Sequence, residues 1–249
     1  MADLSMLAEL PKHTRKAVRK YWKTRSLQSE KQRSAGGSDQ GFRSAVTGGA
    51  HMDGFIELLT ELVIEAGIAR PQIFWKESLE LPGYFRPTKR WDFLVVVNGR
   101  LIAALEAKSQ VGPSFGNNFN NRTEEAMGSA LDLWTAFREQ AFGSAIRPWI
   151  GYLFLLEDCV ASTKPVGVKE PHFKVSPEFR DSSYAKRYEL FCRRLVLEKH
   201  YDSSAFLMSN PVQGLEGDFT EPAPDLAFQV FASSLVARIA VASGRLNQL

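Results

Sequence analysis

The chain has 249 residues, 44% of them hydrophobic, and a formal charge of +3, which allows one large domain or two small ones with ample material for a core. Two cysteines, Cys159 and Cys192, exclude a disulfide framework and suit a reducing cytoplasm. No apolar run approaches a membrane span and the amino terminus lacks the apolar core of a signal peptide, so we expect a soluble cytoplasmic protein without membrane contact.

Charge is uneven along the chain. Residues 1 to 33 hold nine Lys or Arg against three acids, and the remainder is slightly acidic. Lys12, Arg15, Lys16, Arg19, Lys20, Lys23 and Arg25 fall on an expected helix with a sparse apolar stripe at Leu7, Leu10, Ala17, Val18, Tyr21 and Trp22. We read it as a basic extension of a single domain: either an ordinary solvated face or a clamp on polyanion phosphates, with Lys16 and Arg19 as contacts. Residues 34 to 50, rich in Gly and Ser, read as a linker.

His51 to Ala66 carries Phe55, Leu58, Leu59, Leu62 and Val63 at the spacing of an amphipathic helix, closed by Gly67. Asp53, Glu57, Glu61 and Glu65 lie on its polar flank. Ile73 to Leu81 reads as a strand ended by Pro82-Gly83, followed by the cluster Arg86-Pro87-Thr88-Lys89-Arg90.

From Trp91 to Gln110 two apolar runs flank Asn98-Gly99, the signature of a β-hairpin. Side chains alternate on strands, so Glu106 and Lys108 share a face. A two-residue turn would pair Val97 with Arg100 and send Asp92 to the opposite face. A three-residue loop over Val97-Asn98-Gly99, with a bulge and Gly99 at positive φ, sets Asp92 across from Ala104 and diagonal to Glu106. We adopt the second register because it converges two carboxylates and a lysine, although a bulge within either strand restores the same parity.

Gly112 to Arg122 holds four asparagines, Asn117, Asn118, Asn120 and Asn121, and reads as an irregular loop, with Thr123 capping the next helix. Trp149 to Leu156 and Ala205 to Met208 read as strands, residues 159 to 181 as a long irregular segment, and helices are expected from Asp181 or Ser182 to His200 and from about Ala223 to Ser243. There is no internal repeat, zinc-ligand spacing, phosphate-cradling glycine loop or nucleophile motif, and four scattered histidines form no cluster.

Two carboxylates beside a lysine suit metal-assisted phosphodiester hydrolysis. Hard oxygen ligands hold Mg²⁺, and the lysine orients or deprotonates the attacking water. A Glu/Lys pair two residues apart on a strand also suits a solvated face. The apolar runs around it favour burial instead, where such a pair is costly unless it serves a purpose.

Asp92 followed by Glu106-Ala107-Lys108 resembles the PD-(D/E)xK nuclease core, with Trp91 where that motif often has proline. The run Ser109-Gln110-Val111-Gly112-Pro113-Ser114-Phe115-Gly116-Asn117-Asn118-Phe119-Asn120-Asn121-Arg122-Thr123-Glu124-Glu125 is similar to the XhoI-type family of type II restriction endonucleases. The resemblance implies an α/β fold, a mixed sheet of about five strands flanked by helices. It also implies Mg²⁺-dependent cutting of both strands of duplex DNA at CTCGAG or an extended form of it, leaving 5′-phosphates. Asp92 and Glu106 would be the metal ligands, and Lys108 would act on the water. Because a helix before the hairpin often lends such enzymes an acid, Glu57 is the expected fourth catalytic residue.

A palindrome implies a homodimer, and a cognate DNA methyltransferase would share the site without binding the enzyme. Lys89 and Arg90 would meet phosphate. The Asn-rich stretch and Arg122 are expected to read bases, since Asn pairs bidentately with adenine and Arg with guanine. Two other readings stay open: a repair or junction-resolving nuclease of the same superfamily, and a non-catalytic DNA-binding module with this fold.

Overall fold

The structure, a computed structural model, describes residues 5–34, 50–143 and 146–246. The expected linker falls at residues 35–49, outside the described residues. In chain order the elements are α1 (Ser5–Ala8), α2 (Leu10–Ser34), α3 (Asp53–Glu65), β1 (Ile73–Phe74), β2 (Glu80–Pro82), β3 (Thr88–Arg90), β4 (Phe93–Val97) and β5 (Arg100–Gln110). They continue with α4 (Phe115–Arg138), β6 (Trp149–Glu157), α5 (Val160–Thr163), α6 (Tyr184–Leu197), β7 (Ser203–Ser209) and α7 (Phe228–Leu246). Among the described residues no helix is long and apolar enough to cross a membrane.

One mixed sheet of order β1-β4-β5-β6-β7 organises the chain. β1, β4 and β5 are antiparallel, while β5, β6 and β7 run parallel. β6 and β7 are buried along almost their whole length because both faces of the sheet are covered. On one face Phe93, Val95, Leu105, Leu153 and Leu207 pack against α2, α3 and α7. On the other, Leu94, Ala104, Ile150, Phe154 and Phe206 pack against α4 and α6. The fold is the α/β class expected.

Several local expectations change. Helix α2 is no appendage: Leu10, Ala17, Val18, Tyr21 and Trp22 are buried in the first core, and Trp22 Nε1 donates to Ser209 Oγ (2.9 Å). The expected strand from Ile73 to Leu81 is two short strands in different sheets, separated by Ser78 at φ 56°. Most of the supposed loop from Gly112 to Arg122 is helical, since α4 starts at Phe115. Thr123 is therefore no cap; its hydroxyl donates to Phe119 O one turn back. A 3₁₀ turn at Pro224–Leu226 precedes α7, which starts later than expected.

The hairpin register matters most. Val97 pairs directly with Arg100, and Asn98 and Gly99 both take positive φ (50° and 70°), as a two-residue I′ turn requires. The expected three-residue loop is absent. The bulge lies instead in β5, where the register slips between Val95 and Val96 and Ile102 is the extra residue. Ile102 and Ala103 consequently both enter the same core. An added residue on β5 shifts the pairing the other way, so Phe93 pairs with Leu105 and Asp92 comes level with Glu106 rather than with Ala104.

Candidate active site

Asp92 and Glu106 project from neighbouring strands on the α4 side of the sheet, with Lys108 two residues beyond Glu106. Asp92 Oδ2 accepts from Ala107 N (2.9 Å) and from Lys108 Nζ (3.2 Å). Lys108 Nζ also lies 3.7 Å from Glu106 Oε1, so one ammonium bridges both carboxylates. Asp92 itself stands in the wall of two clefts.

Glu106 is 2% exposed and fully partnered. Lys89 Nζ donates to its Oε1 (2.6 Å), and the Tyr201 hydroxyl lies 2.8 Å from Oε2. Lys89 is delivered by the β2–β3 hairpin, where it pairs with Leu81, and its ammonium stands over the Trp91 ring at 4.8 Å. Burial opposes ionisation of Glu106, but Lys108 and Lys89, with the hydrogen bonds of Lys89 and Tyr201, outweigh it and hold the carboxyl below its ordinary range. Burial likewise works against the charge of Lys108, and Glu106 and Asp92 overcome it, raising its pKa. Lys108 is thus an ammonium at neutral pH, suited to orienting water rather than to taking its proton.

Two clefts meet at Asp92 and Ala107. The first, of about 260 Å³, includes Arg25, His51, Lys108, Asn118 and Arg122 in its wall. The second, of about 480 Å³, includes Asp53, Trp75, Lys76, Arg90 and Trp91. Burial, reinforced by the charges of Arg25, Arg122 and Lys108, lowers the pKa of His51 to about 4, leaving a neutral imidazole.

The expected site residues divide into two groups. Asp92, Glu106 and Lys108 converge. Lys89 joins them, as a partner of Glu106 rather than a free phosphate contact. Asn118 and Arg122 reach the first cleft, while Asn117, Asn120 and Asn121 are exposed on the first turns of α4. Arg90 borders the second cleft, held by Glu80 and by the Lys76 carbonyl. Lys16 borders a separate cavity with Lys20 and Glu57, and Arg19 is held by the Glu216 carbonyl.

Glu57 reaches neither the first nor the second cleft. Both its oxygens bind Lys20 Nζ (2.6 and 2.7 Å). The acid that α3 does bring there is Asp53, one turn earlier. Burial, aided by the Glu57 charge and opposed by Lys20, raises its pKa. Asp53 and Glu57 share a helical phase, so periodicity could not separate them; only position along the axis does. Tyr201, His51 and Arg25 were not expected here. Tyr201 lies in a connection without periodicity to point to it, His51 stood at the start of an expected helix outside its apolar stripe, and Arg25 was one cation among nine on α2.

Comparison with known proteins identifies the family. The family model described as restriction endonuclease XhoI matches residues 31–221. Among curated proteins the chain is 58% identical to the type II restriction enzyme BstVI of Geobacillus stearothermophilus over 211 residues, covering 83% of this chain and 94% of the relative. It is 47% identical over 196 residues to the type II restriction enzyme XhoI of Xanthomonas vasicola (77% of each chain), and 49% identical over 175 residues to AbrI of Azospirillum brasilense (70% and 78%). No solved structure matches. The matched span includes Asp92, Glu106 and Lys108, and the chain belongs to the XhoI restriction endonuclease family.

Proposed function

We propose that this type II restriction endonuclease hydrolyses both strands of duplex DNA at the palindrome CTCGAG, or an extended form of it, with Mg²⁺ as cofactor. The products carry 5′-phosphates and 3′-hydroxyls. The observation that carries the reading is Lys108 bridging Asp92 and Glu106 on one strand pair, at the meeting point of two clefts.

The donor set fits Mg²⁺. Among the described residues no group of three His, Cys, Asp or Glu forms a closed cage, and Mg²⁺ needs none, since it keeps several waters and takes one or two carboxylates plus phosphate oxygens. Asp92 would hold it, and Glu106 would join through Oε1, exchanging Lys89 Nζ for the metal. Bound there, the metal would lower the pKa of a water and offset charge developing on phosphorus.

The chain's own groups do the rest. Lys108 orients the water and faces the phosphoryl oxygens as a fixed cation. Tyr201 holds Glu106 in one orientation, as the partner of a metal ligand does. Asp53 contributes a further carboxylate from the second cleft. Asn118 and Arg122, with the exposed Asn117, Asn120 and Asn121, sit where α4 can approach base edges, so specificity is assigned to the start of this helix. Two copies related by a two-fold axis would each address one strand, and a methyltransferase acting on the same site would protect host DNA in the same cytoplasm.

Plasmid DNA carrying one CTCGAG, incubated with protein and Mg²⁺, is expected to give a single linear product. Random nicking, or retention without cutting, would sink the assignment. Asp53→Ala is expected to slow cutting roughly 10- to 100-fold, the range for residues that support metal ligands. Glu57→Ala should leave the cutting rate unchanged, and a reversed ranking in single-turnover assays would return the role to Glu57.

A further inference from the structure

The first cleft has a chemistry that the metal site does not use. Arg25 of α2, Arg122 of α4 and Lys108 of β5 all face it, against one carboxylate, Asp92. Lys108 is already committed to that carboxylate. Arg25 makes no ion pair among the described residues. Arg122 pairs with Glu125 through Nη1 (2.6 Å), while its Nε is buried without a hydrogen-bond partner.

The wall also contains His51, 8% exposed, whose Nδ1 is buried and equally unpartnered. Buried polar atoms are rarely left unsatisfied, and two on one cleft beside a surplus of positive charge point to an anionic ligand. The volume, about 260 Å³, suits one tetrahedral anion with its water. Asp92 and Lys108 belong to the same wall, so an anion held there would lie beside the reacting group.

We propose that this cleft is a second phosphate pocket, holding the DNA backbone phosphate next to the scissile one through Arg25 and Arg122, with His51 Nδ1 as a neutral donor. The proposal rests on the nuclease reading of Asp92, Glu106 and Lys108. It gives Arg25 a role outside the span matched by the family model, which starts at residue 31. These are positioning residues: by fixing one phosphate they set its neighbour over Asp92, and a small displacement of that neighbour is costly to rate.

The test uses the full chain and a CTCGAG duplex in Ca²⁺, which supports binding without cutting, read by fluorescence anisotropy. Neutral methylphosphonates are placed singly around the scissile position. Wild type should lose about 10-fold in affinity at one neighbouring position, with smaller losses elsewhere. Arg25→Met should bind the unmodified duplex about 10-fold more weakly, show a salt slope smaller by about one, and lose no more at that same position. Arg25→Lys should restore the slope, which a folding defect would not allow.

An Arg25→Met protein with wild-type affinity and salt slope, or with undiminished sensitivity at every position, overturns the proposal. Inorganic phosphate that raises the melting temperature of wild type but not of Arg25→Met, together with a flat methylphosphonate scan, would assign the pocket to free phosphate and equally overturn it. Cutting of the unmodified site in Mg²⁺ is scored separately. Failure there sinks the nuclease reading, whereas a flat scan in an enzyme that cuts sinks only the pocket.

Discussion

Asp92→Ala is expected to reduce cutting of a CTCGAG duplex on the order of 10³-fold or more while leaving binding in Ca²⁺ and thermal stability close to wild type. The side chain is 37% exposed at the cleft rim, so its removal leaves no cavity in the core. Its loss deprives Lys108 of one partner, yet Glu106 remains 3.7 Å away and keeps that ammonium compensated. On the proposed reading the change therefore falls on chemistry: it removes the proposed metal ligand and one of the two anchors of Lys108. Lys108→Ala should match the loss in rate, because it removes the cation that faces the phosphate. Single-turnover cleavage with saturating enzyme separates rate from affinity. An Asp92→Ala protein cutting within about 10-fold of wild type would remove Asp92 from the reaction, since even one lost electrostatic contact in a reacting centre costs more.

Parity made the meeting of Asp92, Glu106 and Lys108 legible from the residues alone. Side chains alternate along a strand, so Asp92 and Glu106 could share a face only if one residue were added or removed between them. The bulge exists, but at Ile102 rather than at the turn. Asn98-Gly99 already satisfies a two-residue turn with both residues at positive φ, and the strands then absorb the odd residue where a second apolar side chain, Ala103, can follow Ile102 into the core. Pattern fixes the parity of a hairpin; packing chooses where the irregularity goes.

Elsewhere tertiary contact overrode local preference. Four asparagines and two glycines read as a loop, yet Phe115 stacks on Tyr184, and Phe119 meets Tyr188 and Phe191 edge-on. These two aromatic anchors, four residues apart, pull the polar segment into helix α4, and propensities of a few tenths of a kcal/mol per residue do not resist that. Helix α2 misled in the opposite sense. Its many cations suggested a solvated arm, while five buried residues were enough to make it part of the core. Glu106's partner Tyr201 had no signal at all, because it stands between α6 and β7 and is brought to the site only by the parallel pairing of β6 and β7.

Glu106 should behave unlike Asp92, because it is a buried structural charge as well as a proposed ligand. It is the buried centre of a cluster in which Lys89 and Lys108, 12% and 22% exposed, depend on it. Glu106→Gln keeps the shape and removes the charge, leaving Lys89 without a counter-ion in a largely dry site. Breaking one partner of a buried pair costs about 3 to 5 kcal/mol, and the lower end applies here because Lys108 retains Asp92. The variant should therefore lose cutting and also about 3 kcal/mol of stability in metal-free buffer, measured by urea unfolding. The pH dependence follows in sign. The folded carboxyl titrates below the ordinary glutamate range, so its contribution is complete above that range and is lost as pH falls through the lower folded pKa. The stability gap between wild type and Glu106→Gln should stay constant at neutral pH and close as acid protonates Glu106 and the wild-type residue comes to resemble the amide. A gap that is absent at pH 7, or that widens on acidification, would mean that Lys89 and Lys108 do not rely on Glu106, and that the charge cluster beneath the catalytic cleft does not hold it in place.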